Sequence, residues 1–291
     1  MMLEGRVAIV TGAGGGLGRS HSRYLAQKGA RVVVNDLSGD AAEAVAGEIR
    51  SAGGEAIPYA ASVTDFPAVE AMVEATMRQW GRIDILVNNA GMLRDKSFAK
   101  MSLDDFRLVV DVHLMGSVIC TKAVWEIMRE RNFGRIVMTT SSSGLYGNFE
   151  QSNYGAAKMA LVGLMQTLAI EGQKHNIRVN CLAPTAATQM TEGILSGESL
   201  EMLAPEKVSP GLLALVADDA PTRAILCAGA GSFERAYVTL TQGVHVGHDA
   251  AAAEQIAQQF AAISDRAGET VPESGAAQGT LEIAKAMQMN G

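Results

Sequence analysis

Short apolar runs alternate with helix-prone stretches along most of this chain, and that rhythm constrains the fold more than any other feature. "RVAIVTGAG" at residues 6–14 is a β-branched run ending in glycines, and "LGRSHSRYLAQKGA" follows it. "RVVVND" (31–36), "EAIPYAASV" (55–63) and "RIDILVNNAG" (82–91) repeat the run after helical stretches, as do "GRIVMTTS" (134–141) and "IRVNCLAP" (177–184). Apolar runs separated by helical patterns predict a parallel sheet covered by helices on both faces, an α/β doubly wound architecture. One long helix is expected around 103–131 and another from about 152. After six β-α repeats the pattern loosens. "TRAILCAGAG" suggests a seventh strand and "AYVTLTQG" (236–243) another. "DAAAAEQIAQQFAAIS" (249–264) reads as one helix with Ile256, Phe260 and Ile263 on a stripe and Asp249 as N-cap. Residues 265–279 read as a linker, with a last short helix in "LEIAKAMQM". The expected organisation is a dinucleotide-binding domain over 1–245, including a substrate lid at 185–205, followed by a helical extension over 246–291.

Composition excludes several classes. A net charge of −7 and the lack of any basic block argue against nucleic acid. No uninterrupted apolar run approaches the ~18 residues of a membrane span. The N-terminus lacks the layout of a signal peptide and "MQMNG" is no peroxisomal tripeptide, so the cytoplasm is the expected location. Cys120, Cys181 and Cys227 are widely spaced and form no C-x-x-C, which fits reduced apolar residues. No metal-ligating cluster is read.

"TGAGGGLG" (11–18) joins the first strand to the first helix, with glycines at Gly12, Gly16 and Gly18. Glycine lets a diphosphate approach the backbone, and the helix N-terminus supplies N–H groups and partial positive charge. Asp36 ends the next strand, 18 residues after Gly18, where a carboxylate accepts ribose hydroxyls and repels a 2′-phosphate. Position 37 is Leu37 and not a cation, so NAD is favoured over NADP. The competing role for Asp36 is N-cap of the next helix. Asn88, Asn89, Ala90 and Gly91 end the fourth strand with small and amide groups, where a bulky side chain would collide with a dinucleotide.

Tyr154 and Lys158 stand four residues apart, on one helical face. An ammonium ~5 Å from a phenol at an effective dielectric of about 20 favours the phenolate by ~3 kcal/mol, or roughly two pKa units. That would bring the phenol toward the range a general acid-base needs. Ser141 ends the fifth strand, 13 residues before Tyr154, and could hold a substrate oxygen beside it; Ser142 and Ser143 are its rivals.

These motifs, in this order, resemble the short-chain dehydrogenase/reductases over roughly residues 4–240. The resemblance implies a single Rossmann domain, passing a hydride between a nicotinamide and carbon. It makes Tyr154 the proton donor or acceptor, Ser141 the holder of the substrate oxygen, and Lys158 the binder of the nicotinamide ribose. It also extends cofactor contact to Leu17, Ser62, Val63 and Thr188. The sequence departs from the family at three places. His113 stands where the family usually has the Asn of a proton relay, which reads as a modified relay or a buried structural residue. Ser62 stands where Asp is frequent, and Thr185 after Pro184 departs from the family's Pro-Gly. "NNAGMLRDKSFAKMS", "DVHLMGS" and "GLYGNFEQSNYGAAK" further resemble the (3R)-hydroxyacyl-CoA dehydrogenase modules of peroxisomal multifunctional enzymes of type two, and His113 belongs to that pattern.

The expected reaction is NAD-dependent interconversion of a secondary alcohol and a ketone, with a (3R)-hydroxyacyl-CoA as leading substrate. A 17β-hydroxysteroid dehydrogenase and a non-catalytic dinucleotide sensor are the alternatives. Met190, Leu195, Leu200, Met202 and Leu203 would cover an apolar substrate or pack on a neighbouring subunit. Arg94, Lys96 and Lys100 would meet coenzyme A phosphates or form a solvated face. A homodimer or homotetramer follows from the family alone.

Overall fold

The computed structural model describes residues 2–187 and 201–289. They divide into two compact units, one ending at Arg235 and the other beginning at Ala236. The first unit is built on β1 (Val7–Val10), β2 (Arg31–Asp36), β3 (Glu55–Ala60), β4 (Ile85–Asn88), β5 (Gly134–Thr139), β6 (Ile177–Thr185) and β7 (Ile225–Gly229). With β8 (Ser232–Ala236) they form one sheet in the order β3-β2-β1-β4-β5-β6-β7-β8. Every pairing from β3 to β7 is parallel. All residues of β1, β4 and β5 are buried, as strands covered on both faces must be. Fully enclosed side chains such as Leu86 and Ile136 each contribute about 2–3 kcal/mol of hydrophobic free energy. The chain runs outward from β1 through β2 to β3, then returns to place β4 on the other flank. That reversal opens a crevice at the carboxyl ends of β1 and β4, where ligands of such sheets bind.

Helices α1 (Gly16–Gln27), α2 (Gly39–Ser51) and α3 (Phe66–Trp80) connect the first strands. The Ser38 hydroxyl caps α2 by accepting from Ala41 N–H, and Asp65 caps α3 by accepting from Ala68 N–H. Gly81 ends α3 in the left-handed conformation. The long helix expected at 103–131 is present but interrupted: α4 (Leu103–Val110) and α5 (Gly116–Arg131) flank a π-helical turn at Asp111–Met115. By length and composition this 29-residue run could cross a membrane. It packs instead against α3 and the strands β4 and β5, and polar Asp111, His113 and Lys122 break its apolar sequence. Then come α6 (Ser142–Tyr146), α7 (Ser152–Gly172) and α8 (Ser209–Val216).

The seventh strand lies where the sequence placed it. The eighth does not: β8 is Ser232–Ala236, so only Ala236 of the expected 236–243 run is in a strand, and residues 237–243 contribute the isolated bridge Leu240 to Thr270. Ala230 and Gly231, both at positive φ, turn β7 into β8 in two residues, the geometry of a tight hairpin. A short turn written Ala-Gly carries no recognisable hairpin signal, so the sequence pattern alone places the strand later in the chain.

The second unit holds α9 (Ala252–Gln258), α10 (Phe260–Ile263) and α11 (Ala276–Met289). The single helix expected over 249–264 is two short ones. Asp249 is not the N-cap, a position Ala251 holds without a side-chain bond; its carboxylate accepts from Ala251 N–H at 3.0 Å in the turn that precedes the helix. Ile256 and Phe260 remain exposed, so their stripe is not a core face within this unit. The last helix begins earlier than expected, inside the supposed linker.

Within the first unit, His21 of α1 is completely buried, its Nδ1 within 2.9 Å of Ser209 Oγ on α8. Burial holds its pKa at about 3, against an ordinary 6.5. The unfolded chain therefore takes up a proton near pH 6.5 that the folded one refuses, so stability is complete above pH ~6.5 and drains as pH falls toward 3. Between pH 7 and 5, His21 should cost the fold about 2 kcal/mol, and urea titrations of His21→Gln should lack that part of the acid loss. Equal acid losses in the two proteins would contradict this.

Candidate active site

The crevice is lined first by the glycine loop. Gly12 and Gly16 have φ of +60° and +50°. A Cβ on Gly12 would sit 2.7 Å from Ala90 Cα, and one on Gly18 would sit 2.2 Å from the Gly12 carbonyl oxygen. Only glycine fits either place. Leu17 turns into the core behind the loop. Asn89 fastens the loop to β4: its Nδ2 donates to Thr11 O at 2.9 Å and Gly12 O at 3.1 Å. The Thr11 hydroxyl accepts from the N–H groups of Asn89 and Ala90.

Asp36 faces this loop. Its Oδ2 accepts from Gly14 N–H at 2.9 Å and its Oδ1 from Ser38 N–H at 3.0 Å. It is therefore not the cap of α2, a role Ser38 fills, and its carboxylate stands at the mouth of the glycine loop. Leu37 beside it is exposed. Ser62 bonds Thr64 in the turn before α3, and Val63 is buried against Gly116. The cradle of glycines and the acceptor carboxylate fit a dinucleotide.

Ser141, Tyr154 and Lys158 meet at the carboxyl edge of β5. The Lys158 ammonium, buried to 3% exposure, donates to the Thr139 carbonyl at 2.5 Å. In return the Thr140 hydroxyl donates to the Lys158 carbonyl at 2.7 Å. The ammonium lies 5.4 Å from the centre of the Tyr154 ring. Ser141 caps α6, and its hydroxyl stands close enough to Tyr154 to favour the phenolate. The small residues between tyrosine and lysine make room for α6: a Cβ on Gly155 would touch the Ser143 carbonyl, and one on Gly144 would press on Lys158. Burial pushes the Tyr154 phenol up, Ser141 pulls it down, and Asp95 pushes it up. Burial holds Lys158 at about 7. Sequence spacing reports the attraction between the two charges and not the desolvation of each, and with both groups buried the phenol lies above and not below its ordinary range.

His113 stands at the π-helical turn, 2% exposed, its ring edge-on to Tyr154 with centroids 5.1 Å apart. Its Nε2 lies 2.8 Å from Met92 O and 3.1 Å from Met92 N, while Nδ1 has no partner among the described residues. Burial and the nearby Lys158 charge hold it at about 3, so it is neutral at physiological pH. Gly91 serves this ring: a Cβ there would come within 2.3 Å of His113 Cε1.

Arg94 and Lys96 both approach Asp105, at 3.8 and 3.7 Å, from exposed positions. Met202 is exposed and Leu203 half-buried, whereas Thr188, Met190, Leu195 and Leu200 lie outside the described residues. Sequence reasoning missed Asn153, fully buried, whose Nδ2 donates to Arg94 O and whose Oδ1 accepts from Tyr154 N–H. It also missed Thr139 and Thr140. A backbone acceptor and a buried Asn leave no pattern that periodicity can find.

Residues 6–199 match the short chain dehydrogenase family. The chain is 52% identical over 216 residues to "Peroxisomal multifunctional enzyme type 2" of Drosophila melanogaster, covering 71% of this chain and 36% of that one. The solved full-length structure of the Drosophila enzyme superimposes with a TM-score of 0.83 at 37% identity, over 99% of this chain and 50% of that one. A putative short-chain type dehydrogenase/reductase of Mycobacterium tuberculosis is 41% identical over 276 residues, 91% of this chain and 96% of its own length. A 7α-hydroxysteroid dehydrogenase solved with NADH and 7-oxo glycochenodeoxycholic acid aligns with a TM-score of 0.73 at 30% identity, over 79% of this chain and 95% of that one. The chain belongs to the short-chain dehydrogenase family, oxidoreductases that bind NAD(P). It spans about a third of the Drosophila multifunctional enzyme to which it is similar.

Gly91→Ala should destabilise the fold by roughly 1–3 kcal/mol through the clash with the His113 ring. The same substitution in a His113→Asn background should cost less, as denaturant titration would read. Equal costs would mean the ring is not what Gly91 accommodates.

Proposed function

We propose that this chain oxidises a secondary alcohol with NAD, and that the alcohol is a (3R)-hydroxyacyl-CoA converted to the 3-ketoacyl-CoA. The observation that carries the reading is the convergence of Ser141, Tyr154 and Lys158 at one strand edge, beside the glycine loop. Ser141 holds the substrate oxygen and Tyr154 takes the hydroxyl proton. The Lys158 ammonium stabilises the phenolate and holds the ribose next to it. The bound nicotinamide supplies the hydride acceptor. His113, neutral and with an Nδ1 that meets no partner among the described residues, passes the proton onward from the region of the tyrosine. Asp36, with Leu37 beside it, supports NAD over NADP, because a 2′-phosphate would meet a carboxylate and no cation. The hydroxyacyl-CoA assignment rests on the resemblance to multifunctional-enzyme modules. The likeness to a hydroxysteroid dehydrogenase favours a steroid as second reading. Residues 1–245 would carry the activity, in a cytoplasmic oligomer.

Mixed with NAD and racemic 3-hydroxyacyl-CoA, the protein should generate NADH absorbance, faster than with a 17β-hydroxysteroid or a simple secondary alcohol. Signal only with the steroid would move the assignment to the second reading. Tyr154→Phe should lower kcat by about 10²–10⁴-fold while NADH still binds. Retained turnover would remove Tyr154 from the chemistry. Asp36→Arg should raise kcat/KM with NADP relative to NAD by about ten-fold or more, as a carboxylate-to-cation exchange at the ribose requires. An unchanged ratio would take cofactor choice away from Asp36.

A further inference from the structure

The segment that leaves the Asn-Asn-Ala-Gly turn joins two parts of the site. At one end Met92 holds the His113 ring through its backbone. At the other the segment is tied three times to the start of α7. Lys96 N–H donates to the Glu150 carbonyl at 3.0 Å. Asn153 Nδ2 donates to the Arg94 carbonyl at 3.0 Å. Gln151 Nε2 donates to Asp95 Oδ2 at 2.7 Å. Glu150 sits at φ +66°, a left-handed backbone rare for a side chain of its kind. Such a conformation persists only where its surroundings hold it, as the Lys96 bond does here.

The chemistry of the third tie gives it a direction. A carboxylate only accepts, so Asp95 takes the NH₂ side of the Gln151 amide and the carbonyl side must face the other way. There Gln151 Oε1 accepts from Ser143 Oγ at 2.7 Å and from Asn148 Nδ2 at 3.1 Å. Ser143 in turn donates its backbone N–H to Ser141 Oγ at 3.2 Å. With that lone pair engaged, the Ser141 hydroxyl keeps its own proton for Tyr154 or a substrate oxygen. We infer that Asp95 and Gln151 are positioning residues, an acceptor and an oriented amide that together set the direction of the Ser141 hydroxyl and so the state of Tyr154. Neither touches the reacting atoms.

The inference deepens the proposed dehydrogenase reading and rests on it for the roles of Ser141 and Tyr154. The groups that face Tyr154 are Lys158 on α7, His113 at the π-helical turn, Ser141 at the end of β5 and Asp95 on the segment described. Glu150 adjoins the clamp, and Arg94 and Lys96 flank Asp95 while facing Asp105. The Asp95 charge opposes the phenolate, in the same sense as burial.

The test compares Asp95→Asn, Asp95→Ala and Gln151→Ala in the full chain by two readouts. The first is kcat against pH with whichever secondary alcohol the wild type oxidises. The second is the ionisation of Tyr154, followed as tyrosinate absorbance with the matching Tyr154→Phe protein subtracted. Gln151→Ala and Asp95→Ala should lower kcat by roughly ten- to hundred-fold, the scale of a misplaced catalytic group, with NADH affinity unchanged. Asp95→Asn, whose amide oxygen still accepts from Gln151, should lose less. Both Asp95 variants should titrate Tyr154 at lower pH, and the acid limb of kcat should move with it. Wild-type kcat together with an unmoved titration in all three would overturn the inference, as would a fall in melting temperature alone. If the wild type turns over no alcohol, the functional reading fails, and the tyrosinate titration still decides the clamp.

Discussion

One buried ammonium organises this site. Among the described residues Lys158 has no carboxylate for a partner: its ammonium donates a hydrogen bond to the Thr139 carbonyl, the last of β5, and its own carbonyl accepts from the Thr140 hydroxyl. These two bonds fix α7 against the strand edge in rotation and in height. Tyr154, one turn earlier on α7, is thereby fixed against Ser141, which follows the same strand. Burying a charge is costly unless it is well hydrogen-bonded, and the depressed lysine pKa records that cost.

The second organising contact is between His113 and the turn after β4. The π-helical insertion at Asp111–Met115 brings the imidazole inward, where a continuous α-helix would have carried each following side chain further round. Gly91 leaves the space the ring occupies, and Met92 holds it by backbone atoms. The helix irregularity, the glycine and the neutral histidine form one arrangement. Burial and the nearby Lys158 charge hold the imidazole neutral, so it needs no counter-charge beside the tyrosine ring.

Much of this was legible in the sequence because it is periodic or depends on glycine. Strands β1 to β7, the glycine loop and the tyrosine-lysine spacing follow from side-chain pattern and steric necessity. The short hairpin after β7 was not legible, since Ala230 adopts a positive φ that its identity does not advertise. The break in the long helix was hidden for a similar reason: backbone hydrogen bonding, and not composition, creates a π turn. Gly91 was legible as a glycine but its packing against His113 was not, because a sequence announces that a side chain is absent without saying what fills the space. The phenol's ionisation was misjudged because spacing reports attraction between charges and is silent about burial.

The central claim is that the Lys158 ammonium makes the Tyr154 phenolate accessible despite burial. Replacing Lys158 by methionine keeps the length and removes the charge, and the pH dependence of kcat/KM for alcohol oxidation reads the result. The account predicts that the acid limb moves to higher pH by a unit or more, with activity partly regained in alkali, because the phenolate has lost its counter-ion. A limb at the wild-type position, with turnover merely scaled down, would contradict it.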